Sequence, residues 1–145
     1  MEQTFQRTDL AKEQLDIALD LFLTSKSFVA TLTLAGAAEE ILGKALCQEG
    51  KKTALEQQYS TISSFGTFLE RNNFTLKDYI NEKNRARNAA KHMDLASHAT
   101  ITVDMQDEAL WMLVRALDHY FRLGFNESDR IKKFNNWFYE NIVGY

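Results

Sequence analysis

The chain of 145 residues has no proline and a single cysteine, Cys47. Without proline, the strongest local interruption of a helix is missing, so long helices can form along the whole chain. One cysteine cannot build an internal disulfide framework, which excludes the small domains held together by disulfides and is typical of a reducing compartment. Cys47 itself is predicted to be a small, buried, apolar residue on a helix.

An excess of charge of one sign is also missing. The 17 lysines and arginines are balanced by 20 aspartates and glutamates, for a formal net charge of −3. This balance argues against a chain that coats nucleic acid without specificity, so any polyanion site must be local. A hydrophobic content of 45% with 26% charged residues is usual for a folded protein. Length and composition together predict one domain over residues 1–145 with a single core.

Long hydrophobic runs are scarce as well. The longest nearly uncharged stretch, residues 28–38, is much shorter than the roughly 20 apolar residues that a membrane span needs. Residues 1–9 are a mixture dominated by polar residues. They do not show the basic region followed by an apolar region that defines a signal peptide. We therefore expect a cytoplasmic protein without a membrane partner.

Apolar residues recur at helical spacing almost throughout, which predicts an all-α fold. Helices are expected from Thr8 or Asp9 to about Thr24, from Ser25 or Ser27 to Gly50, from about Thr53 to Arg71, from Thr75 to near Met93, from Asp104 to Gly124, and from Ser128 or Asp129 through Ile142. Leu10, Ile17 and Leu21 share one stripe of the first helix. Asn72-Asn73 marks a turn and residues 94–103 form the main loop. An up-and-down bundle of four or five helices is the most economical architecture.

The segment from Asn81 to His92 concentrates cationic and amide side chains among alanines. As a helix, at about 100° per residue, it divides into two faces. One face carries Asn81, Asn84, Arg85, Arg87, Asn88, Lys91 and His92, and the other carries Tyr79, Ala86, Ala89 and Ala90. Solvated helix faces usually mix acids with bases, whereas this one gathers hydrogen-bond donors. The pattern therefore predicts a phosphate-binding surface.

Arg87 and His92 have side chains suited to phosphodiester cleavage. A histidine can move protons near neutral pH, and an arginine offers a fork of donors to the non-bridging oxygens of the transition state. An RNA substrate brings its own nucleophile, the 2′-hydroxyl. The sequence has no His-x-x-x-His pair, dense acidic cluster or cysteine group suited to metal ligation, so no metal or other cofactor is predicted.

Five helical steps place Arg87 and His92 about 140° apart, which separates them on a regular helix. A helix that ends near His92 would let the imidazole swing toward the arginine. Alternatively, two copies of the chain could meet across a two-fold axis and bring together two arginines and two histidines.

The run Arg87-Asn88-Ala89-Ala90-Lys91-His92 resembles the signature of the HEPN superfamily (higher eukaryotes and prokaryotes nucleotide-binding domain). That signature is an arginine, a polar residue, a short variable run and a histidine. The order of predicted helices over residues 9–124 is also similar to the family's layout. An early helix pair contains the Ala-rich segment with Glu39-Glu40, the signature helix lies in the middle, and a further long helix follows.

The resemblance implies a metal-independent endoribonuclease of the toxin or phage-defence kind, with its active site formed across a homodimer. It implies that Arg87 stabilises the scissile phosphate, that His92 acts as acid or base, and that Asn88 orients the histidine or the backbone. An antitoxin protein is then a possible partner. Three further cations, Lys83, Arg85 and Lys91, are assigned to electrostatic capture of RNA from their position alone.

Glu39 and Glu40 have two interpretations. Acids on a helix are usually solvated, and Glu40 could pair with Lys44 one turn later. In HEPN folds the second helix passes near the signature helix, so one of the two acids could instead hold Arg87 or Arg85.

Alternatives remain for the whole chain and for single residues. A non-catalytic HEPN module for dimerisation and for binding a nucleotide or partner protein is one alternative, and a plain helical scaffold is another. HEPN toxins with a nucleotidyltransferase antitoxin often have a tyrosine two residues after the histidine, where this chain has Asp94. His92 could simply cap a helix C-terminus. His98 is predicted to be solvated in the loop, and His119 to be packed and hydrogen-bonded.

Overall fold

The computed structural model describes residues 1–66, 74–93 and 99–144. These residues contain no β-strand and form seven α-helices, which are α1 (Arg7–Leu23), α2 (Phe28–Gln48), α3 (Ala54–Gly66), α4 (Leu76–Lys83), α5 (Arg85–Lys91), α6 (Met105–Arg122) and α7 (Asp129–Phe138), followed by a π-helical turn at Tyr139–Val143. The all-α prediction is confirmed, with more helices than the four or five expected. The predicted helix end at Arg71, the Asn72-Asn73 turn, Asp94 and His98 lie outside the described residues. None of the described helices is both long enough and apolar enough to cross a membrane.

Helices α1, α2 and α6 pack together at the centre, with α7 against α1 and α5 against α2. Their fully buried side chains include Leu15, Leu19, Leu32, Leu42, Met112 and Leu113. Burying a side chain of this size stabilises a fold by about 1.5–3 kcal/mol. Aromatic residues close one end of this core, where the ring of Phe22 lies 5.7 Å from that of Phe134 and 4.9 Å from that of Trp137.

The buried face of α1 is not the stripe expected from hydrophobic spacing. Leu10 and Ile17 keep 38% and 46% of their surface exposed, while Ala11 and Ala18 are fully buried. The alanines allow α2 to pass close to α1, and Thr31 Oγ1 lies 3.5 Å from the Ala18 carbonyl oxygen. The buried face also carries Leu15, Leu19 and Phe22, so helical spacing offered two apolar stripes and the packing of α2 selected one of them.

Three helix starts follow the predicted caps. The side chains of Ser27, Asp104 and Ser128 each accept a hydrogen bond from the backbone N–H three residues later, which satisfies a donor that the first helical turn leaves free. Gly50 and Gly124 follow the ends of α2 and α6 with positive φ angles of 74° and 86°, a conformation that favours glycine. Local sequence therefore predicts these boundaries correctly.

The helix expected over residues 75–93 is divided at Asn84. Backbone hydrogen bonds continue across the division, from Asn84 N–H to Ile80 O at 3.0 Å and from Asn88 N–H to Asn84 O at 2.9 Å. The φ and ψ angles of Asn84, −101° and 9°, interrupt the helical geometry. Helix α5 ends at Lys91, because His92 has extended backbone angles of −131° and 139°.

Thr75 and Asp78 form a reciprocal cap at the start of α4. The Thr75 N–H donates to Asp78 Oδ2 at 3.0 Å, and the Asp78 N–H donates to Thr75 Oγ1 at 3.2 Å. The backbone hydrogen bond from Thr75, followed by the one from its side chain, lowers the pKa of the Asp78 carboxyl below its ordinary value of 3.8.

This shift predicts how the cap responds to pH. Because the folded pKa lies below the unfolded one, the contribution of the cap to stability is fully present above the unfolded pKa and is lost as pH falls through the folded pKa. We expect an NMR titration of the Asp78 carboxyl to have its midpoint below 3.8, and Thr75→Ala to raise that midpoint. A midpoint unchanged by Thr75→Ala would show that the Thr75 hydroxyl does not donate to the Asp78 carboxylate.

Candidate functional site

Arg87 lies across α2 and does not project from an exposed cationic face. Its side chain is 15% exposed. A Cβ atom added to Gly36 would lie 2.5 Å from Arg87 Cδ and 3.1 Å from Arg87 Cγ. The hydrocarbon part of Arg87 therefore occupies the space that a side chain at position 36 would need. The small-residue run of α2 admits a close neighbour, as expected, and that neighbour is an arginine of α5.

Two carboxylates of α2 flank the Arg87 guanidinium. Its Nη1 lies 3.9 Å from Glu39 Oε2 and 3.7 Å from Glu40 Oε2. At these distances the contacts are ion pairs and not hydrogen bonds. Arg87 Nε is buried and has no hydrogen-bond partner among the described residues. Of the two placements considered for Glu40, the structure shows pairing with Arg87 across the α2–α5 contact.

A second arginine, Arg115 of α6, shares Glu39 with Arg87. Arg115 Nε lies 3.7 Å from Glu39 Oε1, and Arg115 Nη2 donates to Asn84 Oδ1 at 2.8 Å. Both Arg115 and Glu39 are buried, with 7% and 6% of their surface exposed. Burial lowers the pKa of the Arg115 guanidinium, and the nearby Glu39 carboxylate opposes that shift. Arg87 is therefore backed by a buried polar network in which Glu39 of α2 joins Arg87 of α5 to Arg115 of α6, and Arg115 in turn donates to Asn84.

Sequence reasoning did not identify Arg115 as part of this site. One signal was available, since Arg115 is the single charge within the apolar run of residues 113–117. A charge in such a run is buried only when it is paired. The position of its partner, four helices earlier in the chain, could not be predicted from local sequence.

His92 lies at the surface directly after α5. Its backbone N–H still donates to Asn88 O at 2.9 Å, but its extended backbone turns the chain away from the helix. The side chain is exposed, and no hydrogen bond or ion pair joins it to Arg87 within one copy of the chain. The guanidinium contacts the carboxylates of Glu39 and Glu40, and it has no direct contact with the imidazole in a single copy.

The two faces predicted for the signature segment are only partly correct. Tyr79 and Ala86 are buried, as expected, but Ala89 and Ala90 are exposed. Asn84 and Arg87 were expected on the exposed arc, but both turn inward. Asn84 accepts a hydrogen bond from Arg115, and Arg87 occupies the room that Gly36 leaves.

The exposed cations of the segment are Lys83, Arg85 and Lys91, and Asn88 is half-buried. The ammonium of Lys83 lies 5.5 Å from the centre of the Tyr79 ring, which is a weak cation–π contact. Arg85 Nη2 donates to the Thr102 carbonyl oxygen at 3.5 Å. These three cations and His92 are accessible to a polyanion, whereas Arg87 is mostly covered.

A groove of about 230 Å³ opens beside Arg87. Glu40, Lys44 and Cys47 of α2 line one side, and Leu55 and Glu56 of α3 line the other. Cys47 is exposed, so its predicted burial is wrong. The reason is that the α2 face bearing Cys47 turns toward the groove and not toward α1 or α6.

His119 closes the inner side of the groove and is fully buried. Its Nδ1 donates to the Glu39 carbonyl oxygen at 2.9 Å, and its Nε2 accepts from the Ala54 N–H at 2.9 Å. This pairing requires the proton on Nδ1. The prediction of a packed, hydrogen-bonded histidine is confirmed, and His119 fixes the start of α3 against α2.

Within the described parts of the chain, no group of three or more histidine, cysteine, aspartate or glutamate side chains is arranged to hold a metal ion. Comparisons of the chain with protein-family models, with curated proteins and with solved structures found no match. A function must therefore be inferred from the residues of the site and their geometry.

Proposed function

We propose that this protein is a metal-independent endoribonuclease of the HEPN type, with an active site formed across a homodimer. The placement of the two signature residues carries this proposal. Arg87 is anchored between α5 and α2, and its buried Nε has no hydrogen-bond partner in the described parts of the chain, while His92 lies exposed just beyond the end of α5. Such a pair is incomplete in one copy, and a two-fold axis near the end of α5 would complete it.

In the proposed reaction, the 2′-hydroxyl of RNA attacks the adjacent phosphorus and the bond from phosphorus to O5′ breaks. The products are a 2′,3′-cyclic phosphate and a 5′-hydroxyl. His92 removes the proton from the 2′-hydroxyl, and His92 of the partner subunit donates a proton to O5′. Arg87 stabilises the charge that develops on the non-bridging oxygens. The nucleophile comes from the substrate, so this chemistry needs no metal or other cofactor.

The remaining residues have supporting roles in this proposal. Lys83, Arg85 and Lys91 are exposed and attract the RNA backbone. Asn88 precedes His92 by one turn, and its carbonyl oxygen holds the His92 N–H. Glu39 and Glu40 position the Arg87 guanidinium before substrate arrives. A toxin of this kind would need an antitoxin protein as its partner in the cytoplasm.

Cleavage of a DNA oligonucleotide with a single ribonucleotide tests the proposal, because only that residue supplies a 2′-hydroxyl. We expect cleavage that persists in excess EDTA and leaves a 2′,3′-cyclic phosphate. His92→Ala should slow it by about 10²- to 10⁴-fold, the usual contribution of general acid–base catalysis. Lys132→Ala, on α7, is the control and should keep the wild-type rate. Cleavage that EDTA stops, or that His92→Ala leaves unchanged, would contradict the proposal.

One observation favours a second candidate, a non-catalytic HEPN module that dimerises and binds a nucleotide or a partner protein. The Arg87 guanidinium already has two carboxylates within 4 Å, and they compete with a scissile phosphate for its charge. Dimerisation and nucleotide-dependent thermal stabilisation, with no cleavage of the single-ribonucleotide substrate, would select this candidate.

A further inference from the structure

The carboxylate of Glu56, in the first turn of α3, does not form the capping hydrogen bond that its position allows. The Glu56 backbone N–H donates to Thr53 Oγ1 at 3.2 Å, so Thr53 and Glu56 have the spacing of a reciprocal cap. At the start of α4, Thr75 and Asp78 complete both halves of such a cap. The Glu56 carboxylate accepts no hydrogen bond from the Thr53 N–H, and no ion pair joins this carboxylate to another described residue. It is an uncommitted acceptor.

The Glu56 side chain lines the groove next to Arg87 instead. The apolar side chains of Leu55 and Ile80 line the same groove. Its volume of about 230 Å³ exceeds the roughly 150 Å³ of an engineered cavity that binds benzene, so the groove has room for a flat ring. A flat ring could lie against the apolar side chains with its polar edge toward a carboxylate.

The charge of the groove favours a neutral group rich in donors over a second phosphate. Three carboxylates, from Glu39, Glu40 and Glu56, face two cations, from Lys44 and Arg87. Glu39 is buried beside Arg115, and Glu40 lies 3.7 Å from the Arg87 guanidinium. Glu56 is therefore the carboxylate available to a ligand.

We propose that this groove receives one base of the RNA strand and that Glu56 selects guanine. The inference rests on the proposed function, because Arg87 would bind a phosphate next to that base. Guanine has two adjacent donors, N1–H and the N2 amino group, which match the two oxygens of a carboxylate. Adenine and cytosine present one amino group beside an acceptor nitrogen, and uracil presents one N–H between two carbonyl oxygens. Single-stranded RNA exposes these edges for recognition.

Binding of mononucleotides tests this specificity apart from cleavage. Guanosine, inosine and adenosine 5′-monophosphates are titrated calorimetrically into the wild-type protein, Glu56→Gln and Glu13→Gln. The inosine nucleotide differs from the guanosine nucleotide only in lacking the N2 amino group of the base. We expect the guanosine nucleotide to bind about tenfold tighter than the other two, the discrimination typical of one good bidentate pair. Glu56→Gln should remove that preference, and Glu13→Gln, on the exposed side of α1, should keep it.

The outcomes separate this inference from the proposed function. Equal binding of the guanosine and inosine nucleotides, no binding of any nucleotide, or a preference that survives Glu56→Gln would overturn guanine selection. The ribonuclease proposal would then still depend on the cleavage assay alone. A preference for guanosine that Glu56→Gln removes supports guanine selection, even if no RNA is cleaved. If Glu56→Gln has the same melting temperature as the wild-type protein, a folding defect is excluded as the cause of its lost preference for guanosine.

Discussion

Replacing Glu39 by alanine is expected to lower the free energy of unfolding by about 3–5 kcal/mol, the usual effect of removing one partner from a buried ion pair. Glu39 lies 3.7 Å from Arg115 and 3.9 Å from Arg87. Without it, Arg115 would keep its charge in a buried position with the hydrogen bond to Asn84 as its remaining strong polar contact. The loss of stability comes from this uncompensated charge more than from the lost attraction.

Urea unfolding of Glu39→Ala and Glu40→Ala measures the effect against a matched control. Both variants remove a carboxylate of α2 that pairs with Arg87, but the side chain of Glu40 is 52% exposed and that of Glu39 is 8% exposed. Solvent screens an exposed pair, so Glu40→Ala should change stability by no more than about 1 kcal/mol. Equal losses in the two variants would show that burial of the Glu39–Arg115 pair does not govern stability.

Removal of the Arg87 guanidinium should greatly reduce activity. Arg87→Ala is expected to lower kcat by about 10²- to 10³-fold, as the loss of one donor to a developing oxyanion does in other enzymes. Arg87→Lys should recover little of this loss, because an ammonium lacks the planar fork that matches two phosphate oxygens. Single-turnover cleavage of the single-ribonucleotide substrate measures the rate directly.

Arg85→Ala is the matched control for Arg87→Ala. Both are arginines of α5, but Arg85 is exposed while Arg87 lies against Gly36. Loss of an exposed cation should weaken RNA capture, so KM should rise in Arg85→Ala with kcat nearly unchanged. If Arg87→Ala also raised KM alone, Arg87 would serve in capture and not in the chemical step. Urea unfolding of both variants separates lost activity from lost stability.

Part of the candidate site could be predicted from local sequence because it depends on residues close together in the chain. A helix that ends near His92 follows from the composition of the segment, although its division at Asn84 does not, and the exposure of Lys83, Arg85 and Lys91 follows from its helical projection. The inward turn of Arg87 could not be predicted in this way. It depends on Gly36 and Glu39, which lie on another helix, and hydrophobic periodicity does not indicate that an arginine can pack across a glycine.

The role proposed for Glu56 in guanine selection could not be predicted from local sequence either. The Thr53-x-x-Glu56 spacing predicts a reciprocal cap, and local sequence offers no reason for the carboxylate to leave it. Only the position of α3 beside α2 shows that Glu56 borders an unfilled space next to Arg87.

Proline-free helical spacing and the capping residues were enough to specify the all-α class of the part that the structure describes, the starts of α2, α6 and α7, and the cationic segment that ends at His92. These features arise from contacts within a few residues, which short-range hydrogen bonds and steric preferences control. The packing of α2 against α1, α5 and α6 decided which face of α1 is buried, where Arg87 points, and how Arg115 is neutralised. Those features depend on side chains up to 76 positions apart, such as Glu39 and Arg115, which meet only after the helices have assembled.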